Sequence, residues 1–144
     1  MDTILQALSV QVTEARDLES LTRPLLEMLE TVTGLESTYL TQIDLEQSAQ
    51  HILYARNSAA LQIPEGVSVD WSDTLCRRAL DEGRLYAADV ADRWGDSAAA
   101  RAMGIRTYMS SPVRTSSGSL YGTLCGASAE HKPLVTGSEH LIAF

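Results

Sequence analysis

Apolar and polar residues alternate most regularly over residues 105–128, where two period-two runs flank Ser116-Ser117-Gly118. Such alternation gives a strand one face for a core and one for solvent, and the small residues between the runs suit a tight reversal. The segment predicts a β-hairpin, with Pro112 late in its first strand and Gly122 early in its second. A second pair of runs precedes it. Residues 36–44 alternate around Tyr39, Thr41 and Ile43, and residues 50–57 around Ile52, Tyr54 and Arg56. The polar linker between them is too short for a crossover, so these strands form an antiparallel hairpin. Residues 58–70, interrupted by Pro64 and Gly66, read as loop, and residues 85–90 as a short strand.

The remaining apolar residues recur at helical spacing. Ile4, Leu5, Leu8 and Val12 mark a first, N-terminal helix. A second starts at Asp17, a candidate N-cap, carries Leu18, Leu21, Leu25, Met28, Leu29 and Val32 on one stripe, and stops at Gly34. Pro24 inside that stripe removes a backbone donor, which predicts a kink or a helix start near Thr22. Residues 71–83 predict a helix with Ser72 as N-cap, an Asp73–Arg77 pair, Gly83 as left-handed stop, and Trp71 and Cys76 in hydrophobic-staple positions. A small Ala-rich helix follows from an Asp96 cap to Gly104. Residues 138–144 begin a last helix that is cut off within about two turns, so that the chain reads as a fragment of a longer protein.

The order and spacing of these pieces resemble the GAF domain family. The carriers are the leading helix, the strand Glu36-Ser-Thr-Tyr-Leu-Thr-Gln-Ile-Asp44, the helix Trp71-Ser-Asp-Thr-Leu-Cys-Arg-Arg-Ala-Leu-Asp-Glu-Gly83, the segment Ala88-Asp-Val90, and everything from Gly104 through Ser128. Thr38-Tyr-Leu-Thr41, Leu75-Cys-Arg-Arg-Ala-Leu80 and Tyr121-Gly-Thr-Leu-Cys125 are similar to GAF modules that precede bacterial diguanylate cyclase domains. The resemblance implies an α+β fold, an α/β sandwich whose central antiparallel sheet of about six strands carries the terminal helices on one face and pocket-capping helices on the other. It divides the chain into a signalling and dimerisation helix, residues 1–16, and a GAF domain, residues 17–144, with a truncated C-terminal helix. It further implies a small-molecule-sensing regulatory module, a homodimer through the terminal helices, and a covalently linked output domain such as a diguanylate cyclase or sensor kinase.

Composition narrows the partners. A net charge of −8, with eleven scattered basic residues, disfavours nucleic acid, whose phosphates need clustered Lys and Arg. The same charge disfavours an anionic membrane surface, and no apolar run approaches the roughly 20 residues that span a bilayer. The first residues lack the basic region and cleavage site of a signal peptide, which predicts a cytoplasmic protein. Cys76 and Cys125 stand 49 positions apart, with no Cys-x-x-Cys and no His at zinc-ligand spacing, so no metal is expected and the thiols read as small buried hydrophobes without a disulfide.

Candidate chemistry is sparse. His51, His131 and His140 are isolated, and no nucleophile elbow, zinc-protease helix or phosphate loop occurs, so no catalytic residue is assigned. Measured against the family, the chain lacks a placeable Asn, Lys, Phe, Asp and Glu signature for cyclic nucleotides, since its only Phe is Phe144 and its only Lys is Lys132. Neither cysteine is followed by the His common at bilin attachment sites. Two cysteines also fall short of the cluster used by the free methionine sulfoxide reductases. The expectation is a binding pocket lined by Tyr39, Tyr54, Trp71, Cys76, Arg101, Tyr108, Ser110 and Thr123, with hydroxyls that orient an unidentified small molecule. A dimerisation scaffold with a filled pocket, or a redox enzyme using either cysteine, are the alternatives.

Overall fold

A computed structural model describes residues 18–71, 74–83 and 86–132. Helix α1 (Leu18–Thr33) leads into β1 (Ser37–Asp44), β2 (Ala49–Asn57) and β3 (Ser68–Asp70). Helix α2 (Leu75–Glu82), the short β4 (Tyr86–Ala87), and helices α3 (Val90–Arg93) and α4 (Ala98–Met103) precede the hairpin β5 (Thr107–Arg114) and β6 (Leu120–Ser128). All neighbouring strands are antiparallel, in the order β3-β2-β1-β6-β5-β4. The 105–128 hairpin therefore lies inside the sheet, and β6 pairs with β1 at its centre.

Two separate apolar clusters sit on the two faces. Leu26 and Leu29 of α1 pack with Leu35, Leu40, Met109 and Leu124 on one. The other face collects Tyr39, Ile52, Trp71, Cys76, Trp94, Ala100, Tyr108 and Cys125 beneath α2, α3, α4 and the 58–67 loop. Glycine permits close approaches, strand to strand at Gly122 and Leu35 to the sheet at Gly126. A Cβ on Gly122 would collide with the Thr41 carbonyl of β1, and one on Gly126 would come within 2.7 Å of Leu35.

Several local expectations shift. The α1 helix runs continuously through Pro24, so it does not start near Thr22, and its buried stripe is Thr22, Leu26 and Leu29, with Leu18 largely exposed. The cap of α2 is Thr74 rather than Ser72: its hydroxyl accepts from the Arg77 amide at 3.1 Å, which starts the helix two residues later and removes Trp71 and Cys76 from staple positions. Gly83 ends it at φ 65, in the left-handed region. Arg77 faces Asp81 at 3.7 Å. Ser97, not Asp96, caps α4: its hydroxyl accepts from the Ala100 amide at 3.2 Å, while Asp96 pairs with Arg78. The strand expected at 85–90 shortens to β4, and Val90 instead opens α3. The 58–70 loop yields β3, which adds to the outer edge of β2. The expected helices at 1–16 and 138–144, the Asp17 cap and Asp73 lie outside the described residues.

Candidate functional site

The sheet face under α2 and α4 is not filled. A cavity of about 290 Å³ opens there, lined by Tyr39, Gln50 and Ile52 from β1 and β2, Ile63, Pro64, Val69 and Asp70 from the loop and β3, Thr74, Leu75 and Cys76 from α2, Ala100, Met103 and Ile105 from α4 and the turn after it, and Tyr108 from β5. Pro64, Val69 and Asp70 are exposed and form its mouth, whereas Cys76 and Tyr108 are buried at its floor. Among the described residues, Asp70 is the single charged residue in this lining, and no Lys or Arg contributes to it. A mostly apolar concavity with a few convergent polar atoms is the usual form of a small-molecule site.

Pleating explains the floor. Along β6, Thr123, Cys125 and Ala127 share one face, and along β1 Tyr39, Thr41 and Ile43 share it too. Thr123 and Thr41 stand opposite each other in the register, with their hydroxyls 2.7 Å apart. The Gln50 amide donates to Thr41 Oγ1 at 2.9 Å and to Thr123 Oγ1 at 3.3 Å. Cys76 Sγ, descending from α2, lies 3.3 Å from Thr123 Oγ1 and 3.1 Å from Cys125 Sγ, and it contacts the Tyr108 hydroxyl. Cys125 Sγ also donates to Thr123 Oγ1 at 3.0 Å and accepts from Tyr108 at 3.4 Å. Both cysteines are free. Among the described residues, no cluster of three or more His, Cys, Asp or Glu side chains offers a metal cage.

The two thiols are electrostatically unequal. Burial pushes the Cys76 thiol up, but hydrogen bonds from Cys125, Thr123, Tyr108 and Gln50 outweigh it and hold the pKa at about 6. Cys125 is pushed well above the ordinary thiol range by burial, by its hydrogen bond to Cys76 and by the negative charge that Cys76 acquires. Tyr39 and Tyr108 stay protonated for the same leading reason, desolvation. Tyr108 is also fixed from the side: Trp94 meets it edge-on, with ring centroids 6.4 Å apart, and donates its indole N–H to Glu82 at 2.5 Å.

Of the expected site residues, Tyr39, Cys76 and Tyr108 line the cavity, and Thr123 and Ser110 form the polar layer behind its floor, Ser110 Oγ lying 3.8 Å from Cys125 Sγ. Tyr54 does not join them. The register of β2 against β1 slips between Ile52 and Tyr54, so Leu53 is an extra, bulged residue and Tyr54 turns to the α1 face, where Arg23 stacks over its ring at 5.2 Å. Trp71 is buried but borders a different depression, with Leu45 and Leu120, and Arg101 is exposed beside a third, with Trp94 and Gly104. Sequence reading missed Gln50, whose polar side chain is buried, and missed the mouth residues, which come from a segment without periodicity.

A sheet of this order, with α1 on one face and a helix-roofed cavity on the other, defines a GAF domain, and the chain belongs to that family: the GAF domain model matches residues 17–144. Diguanylate cyclase DgcP of Escherichia coli strain K12 is 48% identical to it over 141 residues, which are 98% of this chain and 41% of the relative. The chain thus spans less than half the length of that relative. Among solved structures, the phycocyanobilin-bound GAF domain of a cyanobacterial phytochrome superposes with a TM-score of 0.76 at 13% identity, covering 96% of this chain and 85% of the neighbour. The GAF domain of the Acinetobacter phosphoenolpyruvate-protein phosphotransferase gives 0.74 at 10% identity, covering 96% and 82%. At these identities the likeness shows the fold alone.

Proposed function

We propose that this chain is the ligand-sensing regulatory module of a larger signalling protein, and that the output it governs is a diguanylate cyclase domain or a comparable signalling enzyme. The observation that carries the reading is the open cavity of about 290 Å³ between sheet and helices, since a purely dimerising scaffold has no use for unfilled space in its core. The similarity to DgcP supports this choice of output. The lining selects the ligand by class. With Asp70 at the mouth and no cation on the walls among the described residues, an anion would be desolvated without a partner, so the ligand is small, uncharged and mainly apolar, oriented by the hydroxyls of Tyr39 and Tyr108 and by Thr74.

Sensing also requires that the ligand favour one arrangement of the helices over another, because equal affinity for both transmits nothing. A homodimer through the terminal helices would supply such arrangements. A thermal-shift screen of uncharged aromatic and aliphatic fragments, with cyclic GMP as the anionic comparison, tests the reading. Uncharged fragments should raise the melting temperature, Met103→Trp should abolish that rise by filling the cavity, and cyclic GMP should do nothing. A library without hits, or hits that survive Met103→Trp, would refute the cavity as the site.

A further inference from the structure

The sensing reading leaves one group of nucleophiles unused. We propose that Cys76 and Cys125 form an oxidisable dithiol at the cavity floor, in which Cys76 reacts with a small uncharged hydroperoxide entering through the cavity and Cys125 resolves the product to a disulfide. Three geometric facts carry this. The sulfurs lie 3.1 Å apart, so closing to the roughly 2.05 Å of a disulfide takes a movement of only about 1 Å. Cys76 lines the cavity while Cys125 does not, which divides the pair into an approachable and a sheltered thiol. Hydroxyls of Tyr108 and Thr123 converge on Cys76 Sγ, which sits in the first turn of α2 behind the Thr74 cap, an environment that favours thiolate. The lowered pKa of Cys76 agrees with that geometry.

The chemistry balances within the site. The Cys76 thiolate attacks the terminal oxygen of ROOH, the O–O bond breaks, and ROH leaves after taking up one proton, with Cys76 now a sulfenic acid. The Cys125 sulfur then attacks the Cys76 sulfur, the S–S bond forms as the S–O bond breaks, and hydroxide leaves as water with the Cys125 proton. The two electrons taken up by the peroxide come from the two thiols. An apolar cavity with no cation among its described lining residues admits an organic hydroperoxide and gives an anionic oxidant no partner. The disulfide would tie the first turn of α2 to the central strand β6 and change the floor on which any ligand rests. The reaction does not depend on the cavity holding a signalling ligand.

Cumene hydroperoxide in slight molar excess over the reduced protein is the probe, with thiols counted after denaturation and peptides mapped by mass. Free thiols should fall from two to none per chain, with a Cys76–Cys125 peptide link; persistence of both thiols would overturn the proposal. Dimedone present during oxidation should trap Cys76 alone, and should trap it more in Cys125→Ser than in the parent. Adducts chiefly on Cys125 in the parent protein, or trapping of Cys125 in Cys76→Ser as extensive as that of Cys76 in Cys125→Ser, would overturn the assignment of roles. Because the thiol count and trapping in the parent need no variant, a serine variant that fails to fold leaves the test intact. Its failure is distinct from a failed fragment screen, which reads melting temperature rather than thiols.

Discussion

The two faces of the sheet are built from alternate residues of the same strands, yet they do opposite things. On the α1 face, Leu26, Leu35, Leu40, Met109 and Leu124 pack against one another, and of the few polar residues buried with them Thr38 spends its hydroxyl on the Leu26 carbonyl. On the other face, Tyr39, Thr41, Tyr108, Ser110, Thr123 and Cys125 present hydroxyls and sulfurs to one another under a cavity. In the centre of β6, Leu124 belongs to the first face and its neighbours Thr123 and Cys125 to the second. The pleat thus separates cohesion from chemistry at a distance of one residue, so each can be altered without the other.

The largest effects should come from the closed face. Leu124→Ala removes a side chain that is 1% exposed and should cost about 2–5 kcal/mol in a urea titration, while leaving the thiol chemistry of the remaining folded protein unchanged. A loss below about 1 kcal/mol would contradict its burial. Gly122→Ala ranks next, since its Cβ can be housed only by pushing β6 away from the Thr41 carbonyl; overpacking of this kind costs about 1–3 kcal/mol. Should Gly122→Ala unfold at the parent's urea midpoint, the tight β1–β6 approach would be wrong.

On the chemical face the informative change is Thr123→Val, which keeps the shape and deletes the hydroxyl shared by Thr41, Gln50, Cys76 and Cys125. Leaving buried groups without that partner should cost about 1–3 kcal/mol, comparable to the Gly122 change or below it. Unlike either closed-face variant, it should also slow alkylation of Cys76 near neutral pH by weakening the thiolate. If alkylation is unchanged while stability falls, the network is cohesive only and the contrast between the faces fails.

How much of this was legible in the chain follows from the same contrast. Both hairpins, the left-handed stop at Gly83, the helix end at Gly104, and the burial of both cysteines rest on short-range periodicity and backbone preference, and all are present. Facing was harder. Strict alternation puts Ile52 and Tyr54 together, and the single bulged residue Leu53 separates them, a feature no period-two pattern carries. The cavity mouth draws on residues 63–70, where an edge strand of three residues forms by pairing with β2 rather than by its own pattern. The proximity of Cys76 to Cys125 depends on how α2 docks on β6, a long-range fact that a separation of 49 positions does not encode.

The remaining effect is a slope rather than a step. Because the native Cys76 pKa, at about 6, lies below the roughly 8.5 of a thiol in the unfolded chain, the unfolded state holds a proton that the native state has released throughout that window. Stability from Cys76 is therefore fully present above the unfolded value and is lost as the pH falls through about 6, so urea midpoints should climb between these limits. Cys125 acts in the opposite sense. Its raised pKa means the native state keeps a proton that the unfolded chain gives up, so its contribution declines once the pH passes the ordinary thiol value. The parent protein should thus gain stability from pH 6 toward about 8.5 and then level or fall, whereas Cys76→Ser should lose the rising limb and Leu124→Ala should keep it. Parallel curves for the parent and Cys76→Ser would mean that the polar face holds an ordinary thiol, with nothing to distinguish its chemistry from the packed face behind it.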